Sequence, residues 1–227
     1  GHQPSLERYS KTCYFSRQVS FVSKNPLHLG MGSMSTISIP RSVGQIPIYY
    51  NHKVGSGYYS NGDEVMQTIF SGGYIDESYR PLYPFGFGLS YTKFLIDDIN
   101  IKDKSIKTGE DIVISCTVKN IGKIEGKEVV QIYYYFKDAY VIRPNRQLIA
   151  FKKISLKPNE EINIIFEINT KQLGYYNEDM EFVVEPGRAN IMVGNSSENI
   201  IFKEEINLVG EKINILGNRI YSAKIKV

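Results

Sequence analysis

Tryptophan is absent from the 227-residue sequence, and cysteine and histidine are scarce, with two and three residues. Cys13 and Cys116 offer no metal-site spacing. His2, His28 and His52 lie far apart, and none has the i, i+4 partner of a metal site on a helix. We therefore interpret the histidines as surface or loop residues and expect neither a metal nor another cofactor.

Long apolar runs and blocks of one charge are also lacking. No run approaches the roughly 20 apolar residues of a membrane-spanning helix, so no membrane partner is expected. The net charge is only +3, and without a basic block nothing favours nucleic acid binding. The chain begins with Gly1 and has no charged-then-apolar leader, so no signal peptide is expected in it and no compartment is indicated.

Recognisable catalytic motifs are missing as well. There is no G-x-S-x-G elbow, P-loop or dinucleotide-binding glycine pattern. A glycosidase needs two carboxylates, about 5 Å apart in the retaining class. Each paired carboxylate of the sequence lies in a predicted turn or strand edge, where solvated charge is the usual finding, so no catalytic residue is assigned. The pairs are Asp63–Glu64, Asp76–Glu77, Asp97–Asp98 and Glu160–Glu161.

Aromatic residues, in contrast, are plentiful, with 17 tyrosines and 11 phenylalanines. They are dense in Pro81–Thr92, which reads PLYPFGFGLSYT. The prolines of this stretch fix φ, its glycines allow backbone conformations closed to other residues, and it is too apolar for a solvated linker. We predict an interdomain connector in which Phe85, Phe87 and Tyr91 pack between two bodies. The alternative is an aromatic-rich strand entry.

Two segments precede this connector. Residues 1–36 show no lasting periodicity and stay unassigned; we expect much of this segment to be loosely ordered, with Ser16–Val22 as a candidate short strand. Residues 37–80 begin with a short alternating piece that Pro40 ends. Ile46–Tyr50 alternates in the same way, and Pro47 inside it predicts an edge strand.

From residue 93 to 208, about seven short strands with turns near every ten residues predict a β-sandwich of immunoglobulin or fibronectin type. Asp111–Asn120 alternates most clearly and places Cys116 on its apolar face, as a buried free thiol rather than half of a disulfide. Glu128–Phe136 is apolar or aromatic on both faces, so we place it centrally, with a possible second body against it. One further strand is predicted to begin near Phe94. The remaining predicted strands are Leu148–Leu156, Glu161–Ile168, Tyr175–Tyr176, Phe182–Val184, Asn190–Val193 and Asn199–Leu208.

Several motifs, in order along the chain, resemble glycoside hydrolase family 3, the β-glucosidase and β-xylosidase family. Residues 39–53 resemble the end of its α/β-sandwich domain, and residues 81–92 resemble its connector into the C-terminal domain. A third set resembles its fibronectin type III-like domain. These motifs lie at residues 118–122, 126–133, 143–144, 148–153 and 185–194.

The resemblance implies a mainly β chain with four parts after residue 36. They are a remnant of the α/β-sandwich domain (37–80), the connector (81–92), a fibronectin type III-like β-sandwich (93–208) and a C-terminal extension (209–227). In that family the Asp nucleophile lies in an N-terminal barrel and the Glu acid/base usually in the sandwich domain. Both would precede Ile37, so no catalytic residue carries over. The departure of residues 1–36 from the pattern suggests a truncated or frame-disrupted gene, or simple divergence.

The function that the resemblance implies is structural. The chain would be a non-catalytic module of a retaining glycoside hydrolase in carbohydrate metabolism, inactive alone, and its partners would be the catalytic domains. Tyr133 or Tyr135 would join the three connector aromatics in covering apolar surface. The alternative is a free-standing module that binds glycans or proteins, with Tyr49–Tyr50 or Tyr58–Tyr59 stacking on sugars.

Overall fold

The alternation of apolar and polar residues after residue 93 becomes two packed β-sheets in the computed structural model, which describes residues 33–53, 78 and 80–227. Two short 3₁₀ turns, Val43–Gln45 and Thr170–Leu173, accompany the strands. The strands are β1 (Ser33–Met34), β2 (Gly88–Leu89), β3 (Phe94–Ile101), β4 (Ser105–Lys107), β5 (Asp111–Asn120), β6 (Gly126–Phe136), β7 (Gln147–Leu156), β8 (Glu161–Asn169), β9 (Tyr175–Tyr176), β10 (Phe182–Val184), β11 (Gly187–Gly194), β12 (Ile200–Val209), β13 (Ile213–Asn214) and β14 (Lys224–Lys226).

One sheet of the sandwich has five strands in the order β4-β12-β11-β6-β7, and the other has four in the order β14-β8-β5-β3. The pairs are antiparallel except for β4 with β12. A small sheet, β13-β10-β9, and a two-stranded one, β1-β2, accompany them. The predicted fold class, a mainly β chain with a β-sandwich, is confirmed.

The core lies between the two large sheets. It is formed by every second residue of each strand, because successive side chains of a strand point to opposite faces of its sheet. On β5, Ile112, Ile114, Cys116 and Val118 are fully buried, while the residues between them are not. The inner face of β6 meets them with Val130 and Ile132 among others. Cys116 is a buried free cysteine, as predicted, and burial raises the pKa of its thiol to about 11.

Most predicted strands agree with the structure within two or three residues, and β5 agrees at both ends. The strands that the sequence missed are β1, β2, β4, β13 and β14. Each has only two or three residues, which is too short for alternation to be visible. Ser16–Val22 lies outside the described residues.

The predicted edge strand at Ile46–Tyr50 is wrong. The chain forms the 3₁₀ turn Val43–Gln45 there and then continues without regular structure. A buried side chain replaces strand pairing: Gln45 accepts a hydrogen bond from the backbone N–H of Arg41 and donates one to the carbonyl of Ser78, both at 2.5 Å. Alternation of apolar residues is therefore not sufficient evidence of a strand here.

Candidate interdomain interface

The outer face of the five-stranded sheet is covered by the chain that precedes the sandwich. We call residues 33–53 and 80–92 the strap. On β6, Gln131 and Tyr133 point away from the core, yet both are fully buried. The ring of Tyr50, from the strap, stacks on Phe85 with centroids 4.1 Å apart and meets the edge of Tyr133 at 6.0 Å. The strap is therefore packed on the sheet as a second layer.

A buried glutamine forms the centre of this contact. The Gln131 amide donates hydrogen bonds to the carbonyl of Gly86 at 3.1 Å and to that of Asn195 at 2.6 Å. Its carbonyl accepts the hydroxyl of Tyr133 at 2.5 Å. Gly86 has a φ of +81°, and a Cβ there would lie 2.1 Å from Oε1 of Gln131. Only glycine fits this position, for both backbone and steric reasons.

The loop between β11 and β12 fixes the strap at a second point. The backbone N–H of Ser197 donates to the carbonyl of Phe85 at 2.8 Å, and the Arg146 guanidinium donates to the carbonyl of Ser197. Arg80 of the strap lies 3.8 Å from the carboxylate of Glu198. These bonds join the strap, the β6–β7 loop and the β11–β12 loop into one assembly.

The β6–β7 loop fixes the strap at a third point, at the end of residues 33–53, the first half of the strap. The N–H of Asn145 donates to the carbonyl of His52 at 2.9 Å, and Lys53 forms an isolated antiparallel bridge with Pro144. The His52 ring lies 2.9 Å from the amide of Asn145. Burial lowers the pKa of His52; the carbonyl of Lys53 opposes this shift, while the charge of Arg146 adds to it.

The two halves of the strap also bind each other. The N–H of Ser35 donates to the carbonyl of Phe87, and that of Gly86 to the carbonyl of Ser35, both at 2.8 Å. The rings of Tyr83 and Phe87 stack at 5.1 Å, and Ile39 bridges to Tyr83. The two halves of the strap are thus paired with each other between Ser35 and Ile39 on one side and Tyr83 and Phe87 on the other.

The strap exposes many apolar side chains. Seven of its large hydrophobic side chains are between 46% and 71% exposed. They are Ile37, Val43, Ile46, Tyr49, Leu82, Leu89 and Tyr91.

The three aromatics predicted to pack between domains occupy different positions. Phe85 and Phe87 are half-buried and stack on Tyr50 and Tyr83 of this same chain. Tyr91 is exposed. Contact of these three residues with domains beyond this chain stays a prediction. Tyr133, the further residue predicted to cover other domains, is already buried beneath the strap of this chain.

Sequence reasoning missed Tyr50 and Gln131 as parts of the interface. The available signal was β6 itself, whose two faces are both apolar or aromatic, and which indeed lies inside the sheet with a layer on its outer face. Nothing local in the sequence points to Gln131 because its partner Gly86 is 45 residues away.

Carboxylates are not brought together into a catalytic pair by the described residues. Asp97 and Asp98 are exposed at a bulge in β3. Glu161, at the start of β8, pairs with Lys119 at 3.1 Å. The other two predicted pairs, at 63–64 and 76–77, lie outside the described residues. In the described part of the chain, no three His, Cys, Asp or Glu side chains are grouped to hold a metal ion.

One carboxyl beside the strap is unusual. Glu128 lines a shallow groove with Met34 and Leu89 of the strap, and burial raises the pKa of its carboxyl. The N–H of Val129 donates to it at 2.8 Å, and the amide of Asn195 lies at 3.5 Å. With a single carboxyl, this groove lacks the second one that glycoside hydrolysis requires.

Within residues 33–53, 78 and 80–227, no helix is long and apolar enough to cross a membrane. The strap, which is fixed to the sandwich and exposes apolar side chains, and the groove beside it are the candidate functional surface.

Comparison with known proteins identifies related chains. Residues 128–197 match the model of the fibronectin type III-like domain. A periplasmic beta-glucosidase of Salmonella typhimurium is 39% identical over 72% of this chain and 21% of its own length. A putative beta-xylosidase of Formosa agariphila is 37% identical over 71% of this chain and 20% of its own. The chain thus spans about a fifth of the curated relatives it matches.

Solved structures of β-glucosidases also resemble this chain. A beta-glucosidase from Listeria innocua in complex with glucose superposes with a TM-score of 0.70 at 35% identity. The match covers 78% of this chain and 24% of that one. Because this coverage exceeds the fibronectin type III-like region of residues 128–197, the shared architecture includes residues outside that region.

Proposed function

Because the chain is a C-terminal part of a glycoside hydrolase family 3 protein, we propose that it is a non-catalytic module of a β-glucosidase- or β-xylosidase-like enzyme. Its role is to pack against the catalytic domains and stabilise them. The observation that carries the proposal is the strap, which is fixed to the sandwich by hydrogen bonds and still exposes seven large hydrophobic side chains.

The division of labour within the chain follows the proposed domains. Residues 37–80 are the remnant of an α/β-sandwich domain, residues 81–92 the connector, and residues 93–208 the fibronectin type III-like body, with 209–227 as an extension. The strap consists largely of the first two parts. A rigid body that holds a connector in one conformation fixes the direction in which the neighbouring domain leaves it.

The exposed hydrophobic side chains of the strap support docking. Val43, Ile46 and Leu82 from its two halves are exposed together with Leu89 and Tyr91. Contiguous exposed apolar surface on a soluble protein commonly marks an interaction site. Packing of the catalytic domains over these side chains would bury them.

The test uses the purified chain and two triple variants. Ile46, Leu89 and Tyr91 changed to Ser should lower the fluorescence of the dye ANS and the self-association seen by light scattering. The control changes Tyr140, Ile142 and Phe151 to Ser. These side chains are 52% to 87% exposed, against 55% to 71% for the first triplet, but they belong to the β6–β7 loop and β7. If both triple variants lower dye binding equally, the strap has no special apolar character and the docking proposal fails.

Glycan binding is the alternative partner. The ring of Tyr50 has Phe85 on one face and the edge of Tyr133 beside it, so Tyr49–Tyr50 does not offer two open rings; Tyr58–Tyr59 lies outside the described residues. Retardation of the chain on polysaccharide affinity gels would favour this alternative over the structural module.

A further inference from the structure

β14 is the outermost strand of the four-stranded sheet and is attached to it over a short length. It pairs with β8 through Lys224 opposite Glu167, Ile225 opposite Phe166 and Lys226 opposite Ile165. On its other side, β8 pairs with β5 along all nine of its residues. Among the described residues, no strand covers the remaining two-thirds of the outer edge of β8.

The contact between β14 and β8 is chemically specific despite its length. Ile225 is half-buried and packs against the edge of the core. Its neighbours Lys224 and Lys226 point outward, and the ammonium of Lys226 binds the carboxylate of Glu167. The contact at the edge of β8 therefore combines one aliphatic side chain with one ion pair.

The residues that lead into β14 include an exposed stretch. Before β14 the chain is anchored by the fully buried Ile215, by Arg219, which lies over the ring of Phe182, and by Ala223, which packs against the core. Between Arg219 and β14, Tyr221 is 82% exposed and Ser222 is exposed. A short strand on an exposed tether is the arrangement from which identical elements exchange between copies of a protein.

We propose that the outer edge of β8 is a strand-addition site, and that it accepts β14 of a second copy of this chain in place of its own. Backbone hydrogen bonds would provide the attachment, and the pattern Lys-Ile-Lys opposite Phe166 and Glu167 would provide the selectivity. In a single chain the tether keeps the local concentration of its own β14 high, so the intrachain strand competes with the incoming one.

The probe is a fluorescein-labelled peptide of residues 222–227, SAKIKV, titrated against the full chain. Ile225→Asp should release the intrachain strand, so this variant should bind the peptide at least about tenfold more tightly than the wild type. A peptide with Asp in place of its isoleucine should bind neither protein, and Glu167→Lys added to Ile225→Asp should weaken binding. Leu216→Asp, exposed and outside β14, is the matched control and should behave as the wild type.

Two results would overturn the proposal. One is a folded Ile225→Asp variant that binds the peptide no better than the wild type. The other result comes from hydrogen exchange of the wild-type chain, so it applies even if that variant does not fold. The proposal fails if the β8 amides bonded to β14 exchange as slowly as the β8 amides bonded to β5. Fast exchange at those amides, with a dimer that grows with concentration, supports the proposal.

Discussion

Replacing Gly86 with alanine tests the contact that fixes the strap to the sandwich. The new Cβ would lie 2.1 Å from Oε1 and 2.9 Å from Nε2 of Gln131, so the glutamine side chain must move. Gln131 donates two hydrogen bonds and accepts one in this buried site. Its displacement therefore disrupts the centre of the interface.

The size of the effect combines backbone strain and lost hydrogen bonds. A non-glycine residue in the left-handed region, as required by the φ of +81°, costs roughly 1–2 kcal/mol. Each buried hydrogen bond that Gln131 loses costs about 1 kcal/mol. With two of its three bonds lost, we expect Gly86→Ala to lower the free energy of unfolding by about 3–4 kcal/mol.

Gly217→Ala is the matched control for strain alone. Gly217 has nearly the same φ, +80°, and an added Cβ there meets nothing within 4 Å. Its substitution should cost only the roughly 1–2 kcal/mol of strain. Urea unfolding followed by far-UV circular dichroism measures both variants. Equal losses in the two would refute the steric account, and a double variant with Gln131→Ala should be less destabilised than the sum of the single changes.

Three further predictions concern single side chains. Tyr50→Ala removes the ring that joins Phe85 to the sheet, and urea unfolding should show a loss of about 2–3 kcal/mol in the free energy of unfolding. Large-to-small changes of aromatic residues cost up to about 5 kcal/mol when the ring is fully buried. A loss below about 0.5 kcal/mol would contradict this packing. Cys116 should resist iodoacetamide at pH 8 in a Cys13→Ser variant until denaturant is added, because its thiol pKa of about 11 keeps it protonated, and rapid native labelling would show that it is accessible. The raised pKa of Glu128 means that the folded chain holds its proton to higher pH than the unfolded chain, so stability falls as the pH rises from about 4.5 through the folded pKa. Glu128→Gln should therefore raise the Tm at pH 7.5 and leave it unchanged at pH 4, whereas a lower Tm at pH 7.5 would contradict the sign.

Local patterns predicted the sandwich well because its strands carry their own signal. The alternation in β5 is complete from Asp111 to Asn120, and every second residue from Ile112 to Val118 is fully buried. The apolar character of both faces of β6 predicts a central strand, and the structure places β6 between β11 and β7 with the strap on its outer face. These inferences need no knowledge of distant parts of the chain.

The interface could not be predicted in the same way because it depends on partners far apart in the sequence. Gln131 donates a hydrogen bond to Gly86, 45 residues away. The His52 ring contacts the amide of Asn145, 93 residues away. Phe85 and Phe87 lie in a stretch that is too apolar for a solvated linker, but the sequence alone does not show that Tyr50 and Tyr83 stack on them. The Ile46–Tyr50 segment alternates without pairing because the buried Gln45 holds it to the second half of the strap.

The central claim, that this chain is a folded and non-catalytic module, is tested most directly by assaying the purified chain for hydrolysis of a panel of aryl-glycosides while recording its thermal unfolding. The account predicts a cooperative unfolding transition and no turnover of any substrate. Turnover that disappears when one carboxylate is mutated would contradict the account and place a complete active site within these residues.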